Sequence, residues 1–133
     1  MNARTLPLQS LEAEALRLAH GRTPVIDGLD LALPPGRVTA IVGPNGCGKS
    51  TLLAGLARLH APDGGAVLLD GGDIRKLPAR ELARRLALLP QEASAPEGLT
   101  VRDLIRFGRQ PHQGWLSQWS ADDQRAVEEA LAG

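Results

Sequence analysis

Apolar residues fall into short runs separated by proline- and glycine-rich breaks. Leu11 to Leu18 reads as a short strand. Val25 to Leu33 alternates poorly but runs into Pro34-Pro35-Gly36, a strong turn signal. Val38-Thr39-Ala40-Ile41-Val42 is almost continuously apolar and predicts a buried parallel strand. Leu52, Leu53, Leu56 and Leu59 then recur at helical spacing and predict a helix from about Lys49 to Leu59. Pro62-Asp63-Gly64-Gly65 stops it, and Ala66 to Leu69 reads as another strand, closed by Asp70-Gly71-Gly72-Asp73. Pro78 suits the first turn of a short helix carrying Leu82 and Leu86. Leu86 to Leu89 reads as a second buried strand, running into Pro90-Gln91.

The rest is helical in pattern. Thr100-Val101-Arg102-Asp103 has capping-box spacing, with Asp in the role usually given to Glu, and Leu104 and Ile105 follow. Ser120-Ala121-Asp122-Asp123 repeats the device ahead of Val127, Ala130 and Leu131. That last helix has Glu128 and Glu129 but no basic residue in its final turn. Between the two boxes, Gly108 to Trp119 reads as a loop with Pro111, Gly114 and both tryptophans.

One run carries chemistry: Gly43-Pro44-Asn45-Gly46-Cys47-Gly48-Lys49-Ser50-Thr51. A Gly, four residues, then Gly-Lys-Ser is the phosphate-binding loop pattern, and its flanks of apolar strand and amphipathic helix are the required context. Gly43, Gly46 and Gly48 are expected to take φ > 0 and bring backbone N–H groups onto an anion. The following helix N-terminus favours negative charge there by ~0.3–1 kcal/mol. Lys49 is placed to reach β- and γ-phosphates, and the Ser50 hydroxyl to take a place on Mg²⁺. A glycine-rich turn without a ligand would need the glycines but not the flanking elements. Cys47, the only cysteine, reads as a variable loop position.

Composition narrows the picture. The chain of 133 residues is the size of one domain, and 43% apolar residues suffice for a core. Fifteen basic residues balance fifteen acidic ones, which gives no sign of nucleic-acid binding. One cysteine means no internal disulfide. Met1 to Ser10 has no apolar core of a signal peptide, and no stretch is apolar enough to span a bilayer. The expectation is a soluble protein able to dock on a membrane partner. His60 and His112 lack metal-ligand spacing and are expected at the surface.

The phosphate loop, Leu88-Leu89-Pro90-Gln91 and Leu99-Thr100-Val101-Arg102-Asp103-Leu104 stand in the order that resembles ABC-transporter ATPase subunits. Phe107-Gly108-Arg109-Gln110-Pro111-His112-Gln113 is similar to the subgroup that powers uptake of iron–siderophore complexes, with haem and vitamin B12 importers as kin. The resemblance runs from Leu11 to Leu131. It implies an α/β P-loop NTPase fold, ABC-ATPase-like, with an antiparallel β-subdomain, a partial RecA-like core and the start of the helical subdomain. In those terms 1–98 is the β-subdomain and P-loop core down to the Q-loop, 99–133 starts the helical subdomain, and 1–133 is the N-terminal portion of one ATPase domain. Gly43, Pro44, Asn45, Gly46, Cys47, Gly48, Lys49, Ser50 and Thr51 become the ATP phosphate site. Gln91 takes the Q-loop position, touching Mg²⁺ and water; an amide both donates and accepts without titrating. His20 stands where the family usually has an aromatic residue stacked on adenine, with less area than Tyr. A plain loop histidine is the other reading of His20.

The family also uses a Leu-Ser-Gly-Gly-Gln-like signature, an aspartate and catalytic glutamate after a buried strand, and a switch histidine. None of these occurs in the 133 residues, so the chain resembles the N-terminal half of such an ATPase. Ala66-Val67-Leu68-Leu69-Asp70 imitates the acid-bearing strand, but Gly71 follows it and it comes too soon after Lys49. It is expected instead as a strand of the antiparallel subdomain. The resemblance implies ATP and Mg²⁺ as cofactors, and transmembrane permease subunits and a second ATPase subunit in a homodimer as partners. It implies a substrate-binding protein as an indirect partner, no nucleic acid, and a peripheral place on the cytoplasmic face of the membrane. The complete protein would be an ATPase; this chain is expected to bind nucleotide without turnover. Alternatives are a non-catalytic nucleotide-binding module or defective fragment, and an unrelated P-loop kinase with Asp70 or Asp73 as base.

Overall fold

The computed structural model describes residues 9–92 and 96–133. They form two compact units, one up to Leu77 and one from Pro78. The first is a four-stranded antiparallel sheet carrying one helix. Its strands are β1 (Leu11–His20), β2 (Thr23–Leu33), β3 (Gly64–Leu69) and β4 (Gly72–Asp73), in the order β2-β1-β3-β4. Helix α1 (Lys49–Leu56) lies between β2 and β3 in sequence.

The central strand β1 pairs with β2 on one side and β3 on the other, Leu11 facing both Leu33 and Leu69. Its inward residues Ala13, Leu16 and Leu18 are buried, together with Val67 and Leu69 of β3 and Ile74 beyond β4. The spacing slips from Ala13 to Leu16 because β1 bulges at Ala15, whose φ is 44°. The Asp30 carboxylate accepts from the displaced Ala15 N–H at 2.7 Å, so the bulge leaves no donor stranded. Asp70, in the β3–β4 turn, accepts from Ser10 N–H at 2.9 Å. The segment Ala66–Asp70 is thus a paired antiparallel strand and its turn, as expected.

Helix α1 presents Leu52, Gly55 and Leu56 inward. Gly55 is there for closeness: a Cβ on it would stand 2.6 Å from Leu18 Cδ1. The helix stops at Leu56, one turn short of the expected Leu59, because Arg58 turns the chain left-handed at φ 61°. The Arg58 guanidinium holds that turn by donating to the Ile74 and Leu77 carbonyls at 2.8 and 2.6 Å.

Two expected strands do not form. Val38–Val42 pairs with nothing among the described residues, and Val38 and Val42 are 99% and 87% exposed. Leu86–Leu89 is likewise unpaired, with Leu89 88% exposed. The local signal for a buried strand is present in both. A parallel strand also needs partners far along the chain, and no described strand fills that role.

The second unit consists of α2 (Ala79–Arg85), α3 (Val101–Phe107), a 3₁₀ turn (Gln110–His112) and α4 (Ala121–Ala132). Pro78 stands at the N-cap of α2, one residue before the expected first turn. Both capping boxes form. Thr100 Oγ1 accepts from Asp103 N–H at 3.1 Å, and the Asp103 carboxylate accepts from Thr100 N–H at 3.1 Å. Ser120 and Asp123 repeat this, with both backbone bonds at 3.1 Å. Asp123 is buried and also accepts from Arg109 Nε at 2.8 Å. The Arg109 hydrogen bond, reinforced by Ser120, pulls its carboxyl down to about 2. Val127 anchors α4 at 1% exposure, and Arg106 stacks 4.5 Å over the Trp119 ring.

Three expectations follow. Gly55→Ala should destabilise the chain by about 1–3 kcal/mol through overpacking on Leu18, although Ala is the better helix former; chemical denaturation measures this, and unchanged stability would refute the close seat. Because the folded pKa of Asp123 is lowered, its contribution is complete above its ordinary value and lost as pH falls through about 2. Asp123→Asn should therefore be less stable at neutral pH and show a shallower loss of helical circular dichroism between about pH 5 and pH 2. Finally, the bare apolar residues Val38, Val42 and Leu89 should make the 133-residue chain associate; a sharp cooperative melt from a species that light scattering finds monomeric would contradict this.

Candidate functional site

The phosphate loop is placed by the antiparallel sheet rather than by a strand leading into it. Gly48 is the N-cap of α1 and sits at φ 97°, ψ 8°, a left-handed conformation that suits glycine. It rests on β2, where a Cβ would come within 2.7 Å of Val25 Cγ1. Gly46 also takes a positive φ, 81°, whereas Gly43 does not. Gly43 serves by its lack of bulk: a Cβ there would meet Cys47 Sγ at 2.8 Å. Cys47 N–H closes the turn onto the Pro44 carbonyl at 3.4 Å.

Lys49 folds back over its own loop. Its ammonium donates to the Gly43 and Pro44 carbonyls at 2.8 and 2.7 Å, and lies 3.7 Å from Cys47 Sγ. The cation is thereby held at the mouth of the turn that Gly43 to Gly48 makes. Ser50 is exposed in the first turn of α1, and Asn45 and Gly46 are exposed at the tip of the loop. This set fits a phosphate chain: N–H groups at a helix start, a fixed ammonium and a hydroxyl beside them.

His20, the last residue of β1, meets this loop. Its Nε2 lies 3.0 Å from Thr51 Oγ1, so the end of β1 is tied to the first turn of α1. His60 packs its ring against His20, with centroids 5.1 Å apart and planes at 83°. His60 Nε2 donates to the Ala19 carbonyl at 2.9 Å. It is half-buried, not the surface residue that its spacing suggested, because it bridges the end of α1 to the end of β1. His112 is exposed, as expected. The structure thus gathers Gly43 to Thr51 with His20. Gln91 belongs to the second unit, exposed in a bend after residues 86–90, which form neither helix nor strand.

The acids proposed for a kinase are otherwise engaged. Asp73 accepts two bonds from Arg75 Nε at 3.1 Å and one from Arg75 Nη2 at 2.8 Å. That pairing lowers its pKa and makes it a poor base. Asp70 accepts from Ser10 N–H where β1 begins and β3 ends. Among the described residues no group of three His, Cys, Asp or Glu could hold a metal ion. No described helix is long and apolar enough to cross a membrane.

Sequence reasoning missed Val25, Gly55 and His60. Gly55 gave a signal, since a glycine inside an eight-residue helix costs about 1 kcal/mol relative to Ala and calls for a packing reason. Val25 and His60 gave none, because their partners are distant in sequence.

Comparison with known proteins places the chain in a family. The family model described as "ABC transporter" matches residues 26–133. The chain is 54% identical over 124 residues to a probable siderophore transport system ATP-binding protein of Bacillus subtilis (strain 168), covering 93% of this chain and 45% of that protein. It is 46% identical over 121 residues to the ferric enterobactin transport ATP-binding protein of Escherichia coli (strain K12), covering 91% and 45%. The chain spans about half the length of the curated relatives it matches. A solved ATP-binding subunit of an ABC transporter superposes with a TM-score of 0.69 at 26% identity, over 81% of this chain and 44% of that one. With its phosphate loop, its antiparallel sheet and these matches, the chain belongs to the ABC transporter family.

Proposed function

We propose that this chain supplies the ATP-binding half-site of an ATPase subunit that powers import of iron–siderophore complexes. The observation that carries the reading is the loop Gly43–Thr51, capped by left-handed Gly48 and centred on the Lys49 ammonium. The siderophore assignment rests on what the relatives' names say they transport.

In this reading the N–H groups from Asn45 to Gly48 and the start of α1 hold the phosphates. Lys49 exchanges its loop carbonyls for β- and γ-phosphate oxygens. Ser50 would give Mg²⁺ a hydroxyl ligand, and Gln91 is proposed as a metal contact on the Q-loop resemblance alone. When bound, Mg²⁺ neutralises the phosphate charge that develops in transfer. Pro44, Asn45, Cys47 and Thr51 line the same loop, and His20 takes the base.

Phosphoryl transfer depends on positioning and charge neutralisation, with a further residue to orient the attacking water. This sequence has Lys49 and Ser50 but no glutamate after a buried strand to orient that water. By itself the chain therefore holds nucleotide without turning it over. Residues 1–98 form the nucleotide-holding part in this reading, and 99–133 open the helical subdomain that touches the permease. The complete protein is a homodimer on permease subunits, peripheral to the cytoplasmic face of the membrane, with a substrate-binding protein as indirect partner.

Calorimetric titration with Mg²⁺–ATP tests the reading. We expect binding by the wild-type chain, loss of at least about tenfold in Lys49→Ala, since charge-assisted bonds are the strong ones, and no steady phosphate release from either. Steady release abolished by Lys49→Ala would overturn the claim of binding without turnover. Wild-type titration with no heat or competition signal would overturn the nucleotide site itself.

A further inference from the structure

We propose that His60 is a positioning residue for the nucleotide base: it holds the His20 ring, which Thr51 ties to α1, in the orientation that receives the base. The inference rests on the nucleotide reading above and adds a residue to it.

An exposed imidazole at a strand end has a broad second side-chain torsion, so its face points in no fixed direction. His20 is exposed, yet two groups hold it. Its Nε2 is bonded to Thr51 Oγ1 at 3.0 Å, and the His60 ring lies against it edge to face. A carbonyl only accepts, so the bond from His60 Nε2 to Ala19 O fixes which nitrogen of His60 carries hydrogen. That bond also ties His60 to the residue just before His20.

His60 is itself rigidly mounted. Its backbone N–H bonds to the Ala54 carbonyl at 3.1 Å, at the end of α1. The left-handed turn at Arg58 that aims it is locked by the guanidinium bonds to Ile74 and Leu77. The chain of contacts therefore runs from α1 through Thr51 to His20, and from the far end of α1 through His60 back to His20. The same helix that starts at the phosphate loop fixes the imidazole from both of its ends. Fixing a ring before binding removes an ordering cost that the ligand would otherwise meet. The gain matters more for imidazole than for a larger ring, because imidazole offers less stacking area.

A plainer role for His60, bridging strand to helix for stability alone, would affect every ligand of the loop alike. The test compares Mg²⁺–ATP with Mg²⁺–tripolyphosphate, which has the phosphates but no base. His60→Phe keeps a ring beside His20 and loses the donor to Ala19; His60→Gln keeps a donor and loses the ring. We expect the wild-type chain to prefer ATP, and each variant to lose about 3- to 10-fold in ATP affinity, the scale of an aromatic contact. Tripolyphosphate affinity should stay within about twofold. With His20→Ala already present, His60→Gln should cost ATP nothing further, since its effect passes through His20. Equal losses for both ligands, no loss for ATP, or an additive loss in the His20→Ala background would overturn the proposal. Failure of both single variants to fold by circular dichroism would also overturn it, by making His60 a residue of the fold. Tripolyphosphate binding without preference for ATP would overturn the positioning role and leave the phosphate site standing. Binding of neither would overturn both readings.

Discussion

The seat of helix α1 on the antiparallel sheet is the contact on which the rest depends. It is made at two glycines. Gly48 lets the helix start press onto Val25 of β2, and Gly55 lets its middle press onto Leu18 of β1. A side chain at either point would lift the helix by the width of a methyl group. Since the phosphate loop is continuous with α1, its height over the sheet is set there. The His20 imidazole, at the end of β1, meets Thr51 only because the helix lies so low.

This explains why the loop keeps its shape while Val38–Val42 is unpaired. A strand, loop and helix together were the expected frame, and the strand contributes no pairing among the described residues. The helix side suffices. Left-handed backbone at Gly46 and Gly48, the Cys47-to-Pro44 turn and the Lys49 bonds are all local to nine residues. The second unit shows the same economy at its helix starts, where Asp123 both closes a capping box and pairs with Arg109.

What the sequence made legible was local. The Gly-Lys-Ser-Thr run, the helix after it and the two boxes at Thr100 and Ser120 depend on spacing within a few residues, and all appear in place. The nearness of Asp70 to Lys49, the Gly71 that follows it and the family order correctly separated an antiparallel strand from an acid-bearing one. What failed depends on distant partners. Val38–Val42 and Leu86–Leu89 have the composition of buried strands, but composition does not supply the neighbour that buries them. His60 looked idle because Ala19 and His20, which occupy it, lie about forty positions earlier in the chain.

The way Lys49 is held has a consequence for solvation. An ammonium in water carries a tight hydration shell that an arriving anion must strip. Here two of its three hydrogens already point at the carbonyls of Gly43 and Pro44. An incoming phosphate trades places with neutral oxygens of the protein, and much of the lysine's dehydration has been met during folding. The loop thus stores its cation in a half-dry state, so that anion exchange at this point is a swap of acceptors rather than a removal of water.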